Sequence, residues 1–516
     1  MPAWFGVACL SSTGPIFHRL LGAAKSQEKD GGFFAIDLED RVHSEQALQQ
    51  KHRDMRRLVI VSNRVADPGR DQAQGGLAVC VLDSLRKRDA VWFGWNGAIV
   101  ADEAEIDVAS AKFGNLTMMT MPLTERDYGE YYLGFANAAL WPVHHNRLDL
   151  ACFTQENIEG YRRVNVRFAE TLTPLLESDD LVWVHDYHLI PLGAGLRARG
   201  VVNQIGFFLH VPFPTPDILV AIPEHEWLLE ALFEYDLVGF QTKTDQSNFC
   251  RFVCDFMGGE MVSPEVIHVA GKIVSASVFP VGIDVDAFAA IAKRPKATKQ
   301  IQRLRSAGAL RMNIIGVDRL DYTKGLPDRL RAFKRLIELY PQNRGAVTLL
   351  QIAPPTREDV SAYVGVRHEL EALSGEINGE FGDFDWTPVR YIHRRIARDT
   401  LAALYRGSRV GLITPLRDGM NLVAKEYVAA QDEDNPGVLI LSRFAGAAES
   451  LQEALIVNPY DADEVAHAMQ MAINMPLAER IERHGALMAR IREQDAYAWM
   501  EGFLRSLAAC GPRLAT

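Results

Sequence analysis

Short, continuous apolar runs recur along this chain, separated by amphipathic stretches, and that rhythm restricts the fold more than any other feature. The runs are Leu58–Val61, Val91–Phe93, Leu181–Val184, Ile205–Leu209, Leu237–Phe240, Ile314–Val317, Val347–Leu350, Val410–Ile413 and Val438–Leu441. They do not alternate with polar residues, so each reads as a strand buried on both faces. Segments such as Leu326–Tyr340 and Leu422–Ala430 carry helical periodicity. Strand, helix and strand in repetition predict an α/β fold of parallel sheets covered by helices on both sides. The strands are too many for one compact sheet. Two doubly wound, Rossmann-like domains are therefore expected, 55–283 and 284–489, joined after Phe279-Pro280-Val281-Gly282-Ile283. A helix at about 490–516 is expected to complete the first domain.

Residues 1–54 lack this rhythm and are expected to be an N-terminal extension or an over-long start, with the fold beginning near Met55. The formal net charge of -11 argues against a nucleic-acid binder, which needs a basic face. Local Arg and Lys residues can still hold a phosphorylated small molecule. Six cysteines, Cys9, Cys80, Cys152, Cys250, Cys254 and Cys510, are too sparse for a disulfide scaffold and fit a cytoplasmic protein. Cys250 and Cys254 stand one helical turn apart, without a second pair at zinc spacing. No run is long enough for a membrane-spanning helix, and the start of the chain lacks the basic region of a signal peptide.

Ligands of open α/β sheets bind beyond the carboxyl ends of the strands. Unusual polar residues collect there. They are Ser62-Asn63-Arg64, His185-Asp186-Tyr187-His188, His210, Asp318-Arg319 and Thr414-Pro415-Leu416-Arg417-Asp418-Gly419. Five such coincidences suggest one cleft lined from both domains. Gly75-Gly76-Leu77 precedes an apolar helical stretch, where glycine lets backbone N–H groups approach a phosphate; a plain turn is the simpler reading. Arg319 and Lys324 sit between a strand and a helix, placed to take up charge on a departing diphosphate, or alternatively to pair with Asp318 and Asp321. Thr414–Glu426 leads a polar loop into a helix start that favours an anion. Glu426 lies at i+4 from Leu422 and suits a ribose, and Asp418 suits sugar hydroxyls. Alternatively Asp418 or Asn421 caps the helix.

The strings Val61-Ser62-Asn63-Arg64, Gly75-Gly76-Leu77, Trp92-Phe93-Gly94-Trp95, His185–His188, Phe207–Pro214, Arg319–Gly325 and Thr414–Glu426 together resemble the trehalose-6-phosphate synthases. The likeness runs in order from about Arg57 to the last fifty residues. It implies the GT-B fold, two Rossmann-like domains facing across a cleft, with no metal or other cofactor. It implies a retaining transfer of glucose from a nucleotide-glucose, with UDP-glucose the expected donor, to glucose 6-phosphate. Arg64 and Arg357 would hold the acceptor phosphate, and Trp95, Tyr132, Trp141 and Asp186 would line the acceptor sugar. Gly76 would offer backbone to the donor phosphates, and Arg319 and Lys324 would bind the diphosphate. Asp418 and the backbone of Gly419, Met420, Asn421, Leu422 and Val423 would hold the donor glucose, Glu426 the ribose, and His210 the sugar near its 6-hydroxyl. The catalytic set implied is Arg319, Lys324, Asp186 and His210. Tyr391–Ile396, near the expected base, is less typical and leaves base preference open.

Retention here implies front-face attack, with the acceptor hydroxyl passing its proton toward the departing phosphate oxygen. Asp284-Val285-Asp286, Asp383-Phe384-Asp385 and Asp461-Ala462-Asp463 follow none of the strands that carry the other motifs, so metal binding is not expected of them. His144-His145 and the His185/His188 pair are expected to hydrogen-bond within the cleft wall. Alternatives on this scaffold are a related sugar-phosphate glucosyltransferase, such as a glucosylglycerol-phosphate synthase, and a non-catalytic sugar-phosphate sensor. A homo-oligomer is the expected assembly, without membrane or nucleic-acid partners.

Overall fold

The computed structural model describes residues 56–66, 81, 85, 89–306, 311–356 and 361–511. The apolar runs become the inner strands of two sheets. The first sheet contains β1 (Leu58–Arg64), β2 (Ala90–Val100), β3 (Ala109–Phe113), β4 (Leu116–Thr124), β5 (Leu181–His185), β6 (Gln204–Phe208), β7 (Leu237–Phe240), β8 (Glu260–Ser263), β9 (Val266–Val269) and β10 (Lys272–Val278). Its order is β3-β4-β2-β1-β5-β6-β7-β10-β9-β8. The second contains β11 (Met312–Val317), β12 (Val347–Ile352), β13 (Val389–Ile392), β14 (Val410–Ile413), β15 (Val438–Ser442) and β16 (Leu455–Val457), ordered β13-β12-β11-β14-β15-β16 and parallel throughout. In β1, Val59 and Val61 enter one hydrophobic core while Leu58 and Ile60 enter another, so both faces are covered. The antiparallel edges β3 and β8 are exposed along their whole length, which is why no continuous apolar run announced them.

Both sheets double back at their centre. In the first, the chain leaves β1 outward through β2 and β4, then returns to β5 on β1's other side. In the second, β11 is followed by β12 and β13 on one side and by β14 on the other. Each reversal opens a crevice at the strand ends where a ligand can enter. The chain crosses between the sheets after β10 and again before α6 (Ala496–Ala509). At the crossing Ala496 donates its N–H to the Ile283 carbonyl at 3.2 Å. Helix α6 returns to the first sheet, where Phe503 stacks on Trp183 at 4.5 Å and Trp499 meets the same ring at 4.8 Å. Asp495 caps this helix by accepting the Ala498 N–H at 2.7 Å. All these elements lie in one compact unit that begins at Arg57.

The remaining helices that build the cleft are α1 (Tyr128–Leu140), α2 (Gln155–Leu172), α3 (Lys243–Phe256), α4 (Leu326–Leu339) and α5 (Leu422–Ala430). The last two coincide with the amphipathic stretches of the sequence. Helix α1 is wound wide, with backbone bonds closing over five residues, a form that recurs at functional sites. Among the described residues, no helix is long and apolar enough to cross a membrane.

Candidate active site

The first sheet offers an aromatic wall. Arg64 ends β1 and is exposed, its guanidinium 5.0 Å from the Trp95 ring centre. Trp95 meets Tyr132 at 5.4 Å, and Tyr132 stacks on His188 at 6.0 Å. Asn63 accepts from the Tyr131 hydroxyl at 2.8 Å and Asn137 from the Tyr187 hydroxyl at 2.9 Å, which locks the buried side of this wall. Asn63 belongs to the polar group noted after the first apolar run, whereas Asn137 did not stand out in the sequence. Trp141 follows α1 directly and is buried.

Asp186 follows β5 with φ 76 and ψ 163, a backbone region that side chains with a Cβ rarely occupy. Its carboxylate accepts the His210 backbone N–H at 3.2 Å. Strain of this kind persists only where the surroundings enforce it. His210 lies at the start of the loop after β6, and its Nε2 lies 3.0 Å from His185 Nδ1. Burial lowers the His210 pKa to about 3 and holds His185 well below the usual imidazole range, so both rings are neutral. His144 is lowered to about 4 and His145 to about 3, again chiefly by burial. Their Nδ1 atoms lie 2.8 Å from the Pro212 carbonyl and 2.7 Å from that of Trp141. His144, His145 and His185 thus hydrogen-bond within the wall as expected, whereas His188 is placed by ring contacts with Tyr132 and Tyr187.

The second sheet brings its own two loops together. After β11, Asp321 accepts the Thr323 N–H at 3.0 Å and hydroxyl at 2.9 Å, closing a tight turn through Lys324. Gly325 ends that turn at φ +61, with the Thr414 carbonyl where a Cβ would need room. The loop after β14 zips onto it, Leu416 donating to the Thr323 carbonyl at 2.8 Å. Beneath both loops lies Arg329, fully buried, bonded to Asp318 at 2.7 Å, Thr414 at 3.1 Å and Gln351 at 3.2 Å. Sequence reasoning passed over Arg329. Its signal was a charged residue on the apolar face of α4, between Leu326 and Leu330.

Lys324 is buried and its Nζ lies 2.6 Å from Asp418 Oδ2. Asp418 also accepts from Asn421 Nδ2 at 3.0 Å. Asn421, at φ 77, caps α5 by accepting the Ala424 N–H at 3.2 Å, so the capping alternative holds for Asn421 and not for Asp418. The N–H groups of Leu422 and Val423 begin the helix and have no intrahelical partner by its geometry. Met420 is buried, its carbonyl accepting the Ala447 N–H at 2.8 Å. Glu426 is half-buried on the next turn.

The two walls touch. The exposed Arg319 guanidinium sits 5.8 Å from the Trp141 ring centre. A Cβ on Gly419 would lie 2.0 Å from the His210 carbonyl oxygen, so only glycine lets the loops approach this closely. Arg147 lies 5.6 Å from the Tyr322 ring centre. The Glu449 carboxylate accepts from the Lys243 N–H at 3.0 Å and the Thr244 hydroxyl at 2.8 Å, at the start of α3. Gly76 and Arg357 lie outside the described residues. The Asp-x-Asp strings have local work: Asp284 and Asp461 cap helices, and Asp385 pairs with Arg311 at 2.7 Å.

Two sheets of Rossmann order, each presenting its reversal point to one shared cleft, make up the GT-B architecture of nucleotide-sugar transferases. Residues 52–509 match the model of glycosyltransferase family 20, and the chain belongs to that family. It is 50% identical over 460 residues to the trehalose-6-phosphate synthase of Klebsiella pneumoniae subsp. pneumoniae, covering 89% of this chain and 96% of that protein. A crystal structure of an α,α-trehalose-phosphate synthase (UDP-forming) from Burkholderia xenovorans, in complex with glucose-6-phosphate, is 49% identical. It superposes with a TM-score of 0.85 over 88% of this chain and 100% of its own. An E. coli structure bound with UDP-2-fluoro glucose is 47% identical, with a TM-score of 0.85 over 89% of this chain and 100% of its own.

Proposed function

We propose that this protein transfers glucose from UDP-glucose to the anomeric hydroxyl of glucose 6-phosphate, releasing UDP and forming α,α-trehalose 6-phosphate. The relatives in trehalose biosynthesis support the reaction. The observation that carries the site is the approach of Arg319, from the second sheet, to Trp141 in the first.

Arg64, with Arg357, grips the acceptor phosphate, while Trp95, Tyr132 and Trp141 cover the apolar face of the acceptor sugar and Asp186 takes its hydroxyls. Gly76 and the Gly419–Val423 backbone meet the donor, Asp418 its glucose hydroxyls and Glu426 its ribose. Lys324 is a preformed ammonium held against Asp418 at 2.6 Å, available to a diphosphate oxygen once sugar hydroxyls engage that carboxylate. Charge grows on the departing phosphate oxygen as the C1–O bond breaks. Arg319 and Lys324 stabilise it, and the acceptor hydroxyl delivers its proton to that oxygen on the same face. No divalent cation is needed for this step.

Residues 55–283 with the C-terminal helix form the acceptor domain and 284–489 the donor domain, in our assignment. Among the described residues, Cys152, Cys250, Cys254 and Cys510 form no disulfide, which suits a cytoplasmic protein. A homo-oligomer is the proposed assembly. The test is nucleotide release from UDP-, ADP- and GDP-glucose with glucose 6-phosphate or glycerol 3-phosphate as acceptor, with and without EDTA. Turnover with UDP-glucose and glucose 6-phosphate, unchanged by EDTA, is expected. Preference for glycerol 3-phosphate, or binding without nucleotide release, would overturn the assignment.

A further inference from the structure

His185 closes β5 one residue before the strained Asp186, yet it is fully buried and lies behind the cleft. Its ring is walled by Trp183 at 4.4 Å, Trp499 at 6.1 Å and Phe208 at 6.3 Å. One polar contact leaves this apolar box, Nδ1 to His210 Nε2 at 3.0 Å. His185 Nε2 has no hydrogen-bond partner among the described residues.

A bond between two neutral imidazoles holds one hydrogen, and there are two ways to place it. If His185 Nδ1–H donates, a bare nitrogen lone pair faces the aromatic wall. If His210 Nε2–H donates, His185 must carry its own hydrogen on Nε2, leaving an orphaned N–H in that wall. Trp183 and Trp499, two of the rings around His185, each carry an indole N–H that likewise lacks a partner among the described residues, so an acceptor nitrogen complements this wall and a third N–H does not. The first arrangement therefore wins, and it has a consequence one ring further on. With its Nε2 accepting, neutral His210 must carry its hydrogen on Nδ1.

We propose that His185 is a positioning residue that fixes His210 as the Nδ1–H tautomer, so that His210 can only donate, never accept, toward a ligand oxygen in the cleft. The consequence for catalysis rests on the reading of His210 as the contact of the donor sugar's 6-hydroxyl. The tautomer itself does not. Helix α6 supplies part of the wall through Trp499, so the last helix of the chain bears on donor recognition at one remove.

Two measurements test this. Long-range proton–nitrogen spectra of the full-length, nitrogen-15-labelled chain report each ring's tautomer, with His210 identified by its loss in His210→Ala. Nδ1–H is expected in the wild type and in His185→Asn, whose amide nitrogen replaces the Nδ1–H donor. An Nε2–H signal for wild-type His210 overturns the proposal. The second measurement is the ratio of kcat/KM for UDP-glucose over UDP-xylose, a donor lacking the hydroxymethyl group. His185→Phe fills the box without a donor and should lower that ratio about tenfold, the scale of one hydrogen bond, while His185→Asn should keep it. If His210→Ala lowers the ratio and His185→Phe does not, the positioning role is overturned. If His210→Ala itself leaves the ratio unchanged, the reading of His210 as the 6-hydroxyl contact fails, and the spectrum alone decides the tautomer. His185→Leu serves in place of a His185→Phe chain that does not fold.

Discussion

Arg319 and Lys324 differ in how firmly they are held, although both are cations on one short loop. Lys324 is buried and anchored to Asp418, whereas Arg319 is exposed and leans on Trp141. In the reaction proposed above, both stabilise the charge that develops on the leaving group. Replacing either by alanine should lower kcat by at least ~100-fold, the usual loss for a preorganised charge stabiliser. Steady-state kinetics at saturating substrates would measure it, and near-normal turnover in both variants would end the assignment. The buried histidines make a separate prediction. His144 is lowered to about 4 and His145 to about 3, while an unfolded histidine titrates near about 6.5. Between those values the unfolded chain binds protons that the folded chain refuses. Stability is therefore fully present above about pH 6.5 and is lost as the pH falls toward the folded values. Each such histidine adds a slope of about 1.4 kcal/mol per pH unit in that window. His144→Asn keeps a donor to the Pro212 carbonyl and should flatten the pH dependence by about that amount in urea unfolding.

At the level of elements, the donor loops depend on α4. Arg329 projects from its apolar face and bonds to Asp318, Thr414 and Gln351, so one guanidinium sets the spacing of strand ends and both loops. Burial pushes the Asp318 carboxyl up, and Arg329 is the first group that opposes this. Arg329→Met should cost about 3–5 kcal/mol in chemical denaturation, because Asp318 loses its hydrogen-bonded counter-charge and keeps only Lys324, which is already bonded to Asp418. Removing both partners, in Arg329→Met with Asp318→Asn, should restore most of that loss. The amphipathic stretch Leu326–Tyr340 was legible as a helix, and it spans Leu326–Leu339. The meaning of its one buried charge was not, because the partners lie 11, 22 and 85 residues away along the chain.

At the scale of the molecule, the cleft exists only while the two sheets meet. Glu449 seats its carboxylate on the first N–H groups of α3, where helix ends favour negative charge. Thr242 caps the same helix by accepting the Asp245 N–H at 3.0 Å, so Glu449 completes a cap begun by its own lobe's neighbour. Glu449→Gln should loosen this clasp and raise the donor KM by about 2–10-fold, with a smaller effect on kcat. A donor KM and solution scattering profile matching the wild type would show that the clasp does not matter for closure. Lys425 adds a second tie, donating to the Val281 carbonyl at 2.7 Å where the chain crosses between sheets. Helix α5 is thereby bonded to the segment where the chain crosses between the two sheets.

By itself the sequence determined the two-sheet α/β plan, because strands buried on both faces must be written as unbroken apolar runs. It also determined that polar residues collect after those runs, as seen in Arg64, Asp186, His210, Arg319 and Asp418. It said nothing of β3 and β8, whose solvent-facing residues need no pattern. Tertiary structure alone decided that Asn421 caps α5 while Asp418 turns to Lys324, since both side chains were equally able to cap. It also decided that His185 is sealed among Trp183, Trp499 and Phe208 while His210, bonded to it, keeps some exposure. Periodicity records burial one residue at a time, but a hydrogen bond between His185 and His210, or between Arg329 and Thr414, exists only after separate strands have been brought to one place.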